Sequence, residues 1–506
     1  MKSKTKFVKK KTVFTKGETI TEKKNKDVKK PNKQNEPKIN IENTKTSNGK
    51  KEKPRKSVKG WIGNSFVESI QIDDFPIFLC YDKDSTEILT IHQLTYNNIV
   101  FTPYGKSDSG YDVYSFSEDE INELIHTNIT IESILDQLKE VVDKYVDANS
   151  ITKCLIQIDL LMTYCQEWIN TTHFPFFVGE TESGKSTALH LFKILAYRCL
   201  YGVNIPAANV YNFLGAEEEG TGTIAEDEAQ EIWKDGEKLR LYKNSYAKGD
   251  RQARMLMFQS YKKQVYYRTF CFKLFAGERV VYDKGFVERL AIVNMIQGQP
   301  KANIKLASNE DIKQLKKLRN LMLVWKIQNL ERGLPSLHES ELKGRDEELW
   351  SDFLKLSQDT KYFETAFQTV KYFVEKRHDE ISNSLEARLF STLLNHFDQS
   401  ENRIDFEQFW FKISHSQESD IQVIKEGNGE TFSDADTGEK ITRPSLSKIL
   451  KEKFHGKKIS LVENKHGYPE KKTYYRFDIE EIKKLSKKYN KPMQTEITTF
   501  DGSHFI

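Results

Sequence analysis

Residues 174 to 187 read Phe-Pro-Phe-Phe-Val-Gly-Glu-Thr-Glu-Ser-Gly-Lys-Ser-Thr, and this stretch decides the fold class. Its first five residues are an apolar run typical of a buried strand. Gly179 and Gly184 then bracket the pattern Gly-x-x-x-x-Gly-Lys-Ser, whose backbone can wrap closely around phosphate oxygens. A helical segment follows from Thr187 to Leu200, so the loop joins a strand to a helix. The stretch therefore predicts a phosphate-binding P-loop.

This loop predicts ATP and Mg²⁺ as cofactors. Lys185 would neutralise charge on the β- and γ-phosphates, and the hydroxyl of Ser186 would ligate Mg²⁺. The helix that starts near Lys185 adds the positive end of its dipole. The predicted nucleotide contacts are consecutive residues of the loop and the helix start: Gly179, Glu180, Thr181, Glu182, Ser183, Gly184, Lys185, Ser186 and Thr187.

An acidic strand end follows at Gly222-Thr-Ile-Ala-Glu-Asp-Glu228. P-loop enzymes hold the magnesium ion with a carboxylate from a neighbouring strand. We assign Asp227 to this role, and Glu228 as the general base that orients and activates the attacking water. Glu226 stands where an apolar residue is usual, so a register shifted by one residue is an alternative. A solvated acidic turn is the other.

Two later segments complete a core. Thr269 to Ala276 has the pattern of a buried strand, and Gly285-Phe-Val-Glu-Arg-Leu-Ala-Ile-Val-Asn-Met295 leads through an arginine into another. With the P-loop and the acidic strand, this order resembles the AAA+ ATPases. It more closely resembles helicase-like replication ATPases of archaea and mobile genetic elements. The resemblance covers roughly residues 130 to 360.

The resemblance implies an arginine finger and sensor residues. Arg289 matches the finger, which reaches the γ-phosphate held by an adjacent subunit, and this implies self-association into a ring, with a hexamer as one candidate. An ion pair with Asp283 of the same subunit is the alternative. Arg345 is a candidate second sensor, or a surface residue. No Asn, Ser or Thr stands at the strand end Leu274 to Glu278 as a first sensor, which leaves Glu278 as a substitute.

The chain of 506 residues, 38% of them hydrophobic, is long enough for several domains. We expect an α/β P-loop core, a parallel sheet covered by helices, with a small N-terminal β-containing domain, a helical lid and a C-terminal winged-helix-like domain. In chain order, the predicted parts are a disordered basic arm (1–58), the β-containing domain (59–130), the core with its leading helices (131–305), the lid (306–380), the winged-helix-like domain (381–490) and a tail (491–506).

Charge is unevenly distributed along the chain. The formal net charge is +4, yet the first 60 residues hold 21 Lys and Arg against 6 Asp and Glu. Such an arm can bind nucleic-acid phosphates by counterion release, although most Lys-rich tails only solubilise a protein. No apolar run is long enough for a membrane helix, and the five scattered cysteines suit a reducing compartment. We therefore expect a cytoplasmic protein with no membrane partner.

Two segments predict contact with DNA. Strand-like runs from Arg251 to Phe258 and from Gln264 to Phe270 are joined by Gln259-Ser-Tyr-Lys-Lys263. This hairpin would contact phosphates through Lys262 and Lys263 and stack bases on tyrosines. An exposed hairpin without a DNA role is the alternative. The residues that flank it are basic or aromatic: Lys248, Arg251, Arg254, Arg268, Tyr246, Tyr261, Tyr266 and Tyr267.

The last hundred residues have a helix-helix-hairpin order typical of a winged helix. The predicted recognition helix is Ser445 to Phe454, and the predicted wing pairs Lys458 to Val462 with Lys472 to Phe477. The segment between the second helix and Ser445 is predicted to be a polar loop. The basic side chains near a groove are Arg443, Lys448, Lys451, Lys457, Lys458, Lys465, Lys471 and Lys472. A protein-binding winged helix is the alternative.

These patterns together predict a DNA-dependent ATPase. The expected protein is a replicative helicase or helicase loader of a virus, plasmid or integrated element, which couples ATP hydrolysis to movement on DNA. Its predicted catalytic residues are Lys185, Glu228 and Arg289. An NTP-regulated DNA-binding transcriptional switch without translocation is the alternative function. A non-catalytic nucleotide-binding scaffold is less consistent with an intact Lys185 and Asp227-Glu228 pair.

Overall fold

The structure is a computed structural model that describes residues 54–105, 113–215, 222–258, 261–280, 283–338, 341–398, 400–415, 423–425, 432–434, 440–465 and 468–491. Most of the predicted basic arm and nearly all of the predicted tail lie outside these residues. The chain divides into two compact units between Val370 and Lys371.

The first unit begins with short strands. They form an antiparallel sheet in the order β2-β3-β4-β5, with β8 beside β3, and a second sheet in the order β1-β7-β6. Their shared apolar core contains Val67, Phe78 and Leu94. The bounds are β1 Arg55–Ser57, β2 Lys59–Ile62, β3 Ser65–Ile72, β4 Phe75–Asp82, β5 Glu87–Ile91, β6 Leu94–Tyr96, β7 Ile99–Pro103 and β8 Ser115–Phe116. A β-containing segment is present where the sequence predicts one.

A parallel sheet forms the centre of the first unit, in the order β10-β11-β14-β9-β15. The strand before the P-loop therefore lies between β14 and β15, and one strand separates it from the acidic strand. The remaining two strands, β12 and β13, form a separate antiparallel hairpin. The bounds are β9 Phe174–Val178, β10 Cys199–Val203, β11 Thr223–Asp227, β12 Arg251–Phe258, β13 Tyr261–Arg268, β14 Phe272–Gly277 and β15 Leu290–Asn294. The predicted mixed α/β fold with a parallel sheet is confirmed.

Helices precede, cover and follow this sheet. Their bounds are α1 Glu118–His126, α2 Ile131–Tyr145, α3 Ser150–Met162, α4 Lys185–Leu195, α5 Ala207–Leu214, α6 Gly236–Lys243, α7 Lys284–Val287, α8 Asn309–Gln328, α9 Arg345–Ser357 and α10 Phe363–Ser382. The periodic apolar residues of α2 are buried, as the sequence predicts. None of the helices in the described part of the chain is both long and apolar enough to cross a membrane.

The segment predicted as a helical lid contains a break between two of its helices. The break between α9 and α10 lies at a turn in which the Thr360 amide donates to the Ser357 carbonyl at 3.0 Å. The Thr360 hydroxyl accepts a hydrogen bond from the Tyr362 amide at 3.2 Å. Threonine side chains compete with helix hydrogen bonds in this way, and apolar periodicity alone does not show it.

Three charged side chains join the N-terminal strands to the rest of the first unit. Lys59 Nζ lies 2.5 Å from Glu167 Oε1, and Lys326 Nζ lies 3.0 Å from the same oxygen. Burial alone would raise the pKa of Glu167, but the two ammonium groups outweigh it and lower this pKa to about 2. For Lys326, burial outweighs the attraction of Glu167 and lowers the pKa to about 8. Glu167 is therefore the counter-charge that the two buried lysines share.

We expect Glu167→Gln to lower the free energy of unfolding by about 3–5 kcal/mol, because it leaves two buried ammonium groups facing each other. Acid should have the same effect: the stabilisation is present above the ordinary pKa of 4.5 and is lost as pH falls towards about 2. Denaturant unfolding between pH 2 and pH 7 measures both. Asp143→Asn, which breaks more exposed pairs with Lys139 and Lys153, is the control and should cost about 1 kcal/mol or less. Equal losses of unfolding free energy in Glu167→Gln and Asp143→Asn would contradict the role assigned to Glu167.

In its described residues, the second unit contains the end of α10 and four further helices around a small antiparallel sheet in the order β16-β21-β20. A buried core that includes Phe390, Trp410, Leu446 and Tyr475 fills the space between them. The bounds are α11 Leu385–Asn395, β16 Arg403–Asp405, α12 Phe406–His415, β17 Val423–Lys425, β18 Phe432–Asp434, β19 Lys440–Ile441, α13 Arg443–Glu452, β20 Lys457–Lys465, β21 Tyr468–Arg476 and α14 Ile479–Tyr489. The order of helices and hairpin is the predicted one.

Two details of the second unit differ from the sequence prediction. The segment predicted as a polar loop contains three short strands, which pair in the order β17-β18-β19. The helix predicted from Ser445 starts earlier, because the Thr442 side chain accepts a hydrogen bond from the Ser445 amide and caps it. The turn between β20 and β21 and the side chain of Lys465 lie outside the described residues.

Candidate functional site

The loop after β9 needs both of its patterned glycines. Gly184 has a φ of +89°, in the left-handed region that favours glycine, and it stands directly before α4. A Cβ atom on Gly179 would lie 2.4 Å from the carbonyl oxygen of Met295, just beyond β15. Any other residue at position 179 would therefore push the loop away from the sheet.

The side chain of Lys185 folds back and bonds to the start of this loop. As the first residue of α4, it sends Nζ back to the carbonyl oxygens of Gly179 at 2.5 Å and Glu180 at 2.6 Å. A third contact of 3.4 Å reaches the hydroxyl of Ser183. The ammonium group thus lies over the segment whose backbone amides would face phosphate oxygens.

Ser186 and Asp227 bring the P-loop and the acidic strand into contact. The Ser186 hydroxyl donates a hydrogen bond to Asp227 Oδ2 at 3.0 Å. The other carboxylate oxygen of Asp227 accepts a hydrogen bond from the Glu228 amide, also at 3.0 Å. Glu228 has a φ of +56°, and its side chain is exposed at the end of β11. The three residues stand together at the carboxyl edge of the sheet.

The neighbouring carboxylate, Glu226, points away from this site. It is buried, with Oε1 at 2.7 Å from Lys238 Nζ and Oε2 at 2.6 Å from the hydroxyl of Tyr242. Burial raises the pKa of Glu226, and the two partners reduce the shift without cancelling it. Alternation along β11 therefore places Asp227, and not Glu226, against Ser186. This arrangement disfavours the register shifted by one residue.

The end of β14 lies directly beside the P-loop. The Gly179 amide donates to the carbonyl oxygen of Gly277 at 3.4 Å. Gln230, in the 3-10 turn Ala229–Lys234 that follows the acidic strand, reaches the same strand end. Its Oε1 accepts a hydrogen bond from the Glu278 amide at 3.3 Å. The side chain of Glu278, the substitute first sensor proposed from sequence, is exposed.

Arg289 lies at the amino-terminal end of the parallel strands, whereas the P-loop lies at their carboxyl-terminal end. It directly precedes Leu290, which pairs with Phe174 at the start of β9. The five residues of β9 then span about 16 Å before the P-loop of the same chain begins. Asp283, the alternative partner, instead caps α7 and lies 3.2 Å from Lys243 Nζ.

Two arginines share one aromatic ring at this end of the sheet. The guanidinium carbons of Arg289 and Arg345 each lie 4.3 Å from the centre of the Tyr246 ring. Burial lowers the pKa of Arg289, and the charge of Arg345 lowers it further. Arg345 pairs with Glu348 at 2.7 Å, whereas no described group accepts a hydrogen bond from Arg289 Nε. Glu288 also attracts Arg289 electrostatically, so what this cluster leaves unused among the described residues is the buried Nε donor of Arg289.

The β12–β13 hairpin has one strongly exposed face. Residues that pair directly share a face, and the pairs Met255 with Gln264 and Met257 with Lys262 belong to it. Met255 is 56% exposed and Met257 74%. Tyr266, two residues further along β13, is 54% exposed on the same face. The second strand begins at Tyr261, so Lys262 and Lys263 lie on a strand and not in the connecting loop.

Not all of the predicted DNA-facing residues are available. Arg254 lies 3.5 Å from Glu237 and stacks on Tyr211, and Lys248 donates to the Glu167 carbonyl at 2.7 Å. In the second unit, Arg443 pairs with Glu407 at 2.7 Å, and Lys472 pairs with Glu463 at 2.8 Å. Exposed basic residues remain on the hairpin, on α13 and on the C-terminal wing: Arg251, Lys262, Lys263, Lys448, Lys451, Lys457, Lys458 and Lys471.

The P-loop region suits a nucleotide with a magnesium ion. Among the described residues, no group of three or more His, Cys, Asp and Glu is arranged to hold a metal by itself. Mg²⁺ does not need such a cage, since it usually binds one or two carboxylates together with substrate phosphates and water. The Ser186 hydroxyl and the Asp227 carboxylate, 3.0 Å apart, are oxygen donors of the kind it prefers.

Comparison with known proteins adds little to this geometry. No protein-family model matches the sequence, and no curated protein matches it. A structure of the C-terminal region of NrS-1 is similar with a TM-score of 0.35 and 10% identity, over 81% of this chain and 96% of that one. A full-length MCM homolog from Methanopyrus kandleri has a TM-score of 0.31 and 13% identity, over 62% and 76%. Scores this low do not define a function, which depends on the site residues themselves.

Sequence patterns miss Gln230. They assign Tyr246 to DNA contact beside the hairpin, whereas its ring packs against Arg289 and Arg345. Gln230 reaches the P-loop end of the sheet from a turn and belongs to no recognisable motif. The spacing of Gln230 two residues after Glu228 is the only local signal, and it gains meaning only when β14 is known to lie beside it.

Proposed function

We propose that this protein is a Mg²⁺-dependent ATPase that acts on DNA, as a replicative helicase or helicase loader of a virus, plasmid or integrated element. The observation that carries the ATPase part is the 3.0 Å hydrogen bond from Ser186 to Asp227. It joins a phosphate-binding loop to a magnesium-binding carboxylate, and phosphoryl transfer depends on positioning these two parts together. The DNA part depends on the hairpin and on the resemblance to replication ATPases.

In this proposal the loop from Gly179 to Thr187 binds the phosphates through its backbone amides. Lys185 moves from the loop carbonyls to the β- and γ-phosphates, where a full positive charge offsets theirs. Ser186 and Asp227 would hold Mg²⁺, which supplies charge neutralisation between the phosphates when bound. The start of α4 contributes the positive end of its dipole.

Glu228 is placed to act on the attacking water. Its side chain is exposed beside Asp227, so it can accept a proton from a water molecule near the γ-phosphate. The water oxygen then bonds to the γ-phosphorus, and the bond from that phosphorus to the bridging oxygen breaks. The bridging oxygen leaves with ADP and keeps the electron pair, and the proton remains on Glu228.

Arg289 and Arg345 would act on a neighbouring subunit. Their end of the sheet faces away from the P-loop of their own chain, so neither can reach that nucleotide. A γ-phosphate presented by an adjacent subunit would accept the unused hydrogen bond of Arg289 Nε. This requires self-association into a ring. Arg345 packs on the same Tyr246 ring as Arg289, so it would face the same neighbouring nucleotide.

The hairpin would bind single-stranded DNA with its exposed face. Tyr266, Met255 and Met257 offer surfaces on which bases can stack, and Lys262 offers a charge for phosphates on the same face. Lys263, the next residue of the strand, offers a charge from the other face. The second unit has the element order of a winged helix, and we assign it to DNA as well, with exposed lysines on α13 and β20. Movement of hairpins around a ring would then follow cycles of ATP hydrolysis.

We expect Lys262→Ala and Lys263→Ala each to weaken single-stranded DNA binding in a salt-dependent way. Each lost phosphate contact should reduce the slope of log affinity against log salt by about 0.7. Fluorescence anisotropy with a labelled oligonucleotide at several salt concentrations measures this slope. Lys234→Ala, which removes another exposed lysine far along the chain from the hairpin, should leave the slope unchanged. An unchanged slope in both hairpin variants would contradict the assignment.

The alternative, an NTP-regulated transcriptional switch, differs in two measurable ways. A switch would bind duplex DNA through the second unit without a rise in ATP turnover on single strands. It would also need no ring, so light scattering with ATP and DNA would show no assembly. Turnover that rises with single-stranded DNA, together with ring assembly, supports the translocating enzyme.

A further inference from the structure

Gln230 brings an uncharged side-chain amide to the P-loop end of the sheet from outside the predicted site. The acidic strand ends at Asp227, and the 3-10 turn that follows folds back towards β14. There Gln230 Oε1 accepts a hydrogen bond from the Glu278 amide at 3.3 Å. Through Gly277, whose carbonyl binds the Gly179 amide, this strand end touches the P-loop.

The orientation of this amide is fixed by its partner. A backbone N–H can only donate, so the Gln230 atom that faces the Glu278 amide must be the oxygen. The two N–H donors of the side chain then point elsewhere, and no other described residue accepts a hydrogen bond from them. Donors without a partner beside a phosphate-binding loop suit an acceptor-only group such as a phosphate oxygen.

The absence of a side chain at Gly277 leaves room for this arrangement. A Cβ atom there would lie 2.5 Å from Gln230 Oε1 and 3.1 Å from the Gln230 backbone nitrogen. The strand end is thus shaped so that a side chain from another segment can occupy the position beside the loop. Glu278, by contrast, contributes only its backbone, and an ionised carboxylate has no donor to offer a phosphate.

We propose that Gln230 is a catalytic residue that donates a hydrogen bond from its side-chain nitrogen to the γ-phosphate during hydrolysis. This inference rests on the proposed ATPase function and supplies the first sensor that the sequence of β14 lacks. The contact strengthens as charge develops on the γ-phosphate oxygens, so it favours the transition state over bound ATP. ADP has no γ-phosphate, so its binding does not depend on this contact.

The test compares Gln230→Ala and Gln230→Glu with wild type in the full-length protein, by steady-state ATP turnover and by affinity for ADP. Loss of one such donor should lower kcat by about 10²–10³-fold, and the carboxylate of Gln230→Glu should lower it at least as much. The affinity for ADP should change less than about twofold. Glu231→Gln, which changes the adjacent, partly exposed side chain that pairs with Lys234, is the matched control and should keep kcat within about twofold.

A second variant displaces the Gln230 amide from the side of β14 without changing Gln230 itself. Gly277→Ala leaves Gln230 in the sequence but displaces its amide, and we expect a fall in kcat of about 10-fold or more with ADP affinity retained. Full turnover in the Gln230 variants, with none in Lys185→Ala, would overturn the inference and leave the proposed function standing. A parallel loss of kcat and ADP affinity would also overturn it, because that pattern indicates a structural role. If wild type binds ATP without turnover, the proposed function itself fails.

Discussion

Arg289→Ala is expected to lower ATP turnover by about 10³–10⁵-fold while ATP still binds, because an arginine finger acts on the charge that develops at the γ-phosphate. The nucleotide site of each subunit remains intact, since Arg289 lies at the other end of the sheet. Steady-state kcat and nucleotide affinity on the full-length protein separate the two effects. Arg332→Ala, at an exposed position, is the matched control and should be close to wild type.

Mixed subunits test whether Arg289 acts in trans. An Arg289→Ala subunit keeps a complete P-loop, and a Lys185→Ala subunit keeps a complete arginine cluster. When the two inactive variants assemble together, some interfaces combine both intact halves, and turnover should reappear. Mixed rings that stay as inactive as the separate variants would contradict action across a subunit boundary. The result would then favour a role for Arg289 within its own chain.

Lys185→Ala should abolish ATP turnover, with a loss of about 10³-fold or more. The lysine is the full positive charge that spans the loop, 2.5 Å from the Gly179 carbonyl and 2.6 Å from that of Glu180. Without it, the γ-phosphate loses the positive charge that its own P-loop supplies. This loss of turnover is measured as phosphate release from ATP, with and without Mg²⁺.

The control for this variant is Lys193→Ala, which removes an exposed lysine from the last turn of the same helix. It should retain turnover within about twofold, because it lies two helical turns from the loop. Wild-type turnover in Lys185→Ala would show that the P-loop is not the hydrolytic site. Equal losses in both variants would show damage to α4 instead.

The sequence predicts those parts of the site whose residues are close together along the chain. The P-loop follows from a strand, two glycines and a helix start within 14 positions, and each glycine has a local geometric reason. Asp227 and Glu228 follow from one acidic strand end. Alternation along β11 then orients Asp227 to Ser186, with Glu226 buried against Lys238.

The parts that sequence does not predict depend on which strands become neighbours. The contact between Gln230 and Glu278 needs β14 to lie next to β11, and chain order does not give that adjacency. The same holds for Tyr246, whose ring meets two arginines from other segments. In the second unit, β17 to β19 are too short and polar to show alternation, so their pairing is invisible in the sequence.

The most direct test of the central claim is phosphate release from ATP by the full-length wild-type protein with Mg²⁺, with and without saturating single-stranded DNA. In the proposed function, the contact of Ser186 with Asp227 belongs to a site that hydrolyses ATP, and this hydrolysis is coupled to movement on DNA. We predict steady turnover that increases when the DNA is added. ATP that binds without phosphate release, or turnover that is the same at every DNA concentration, would contradict it.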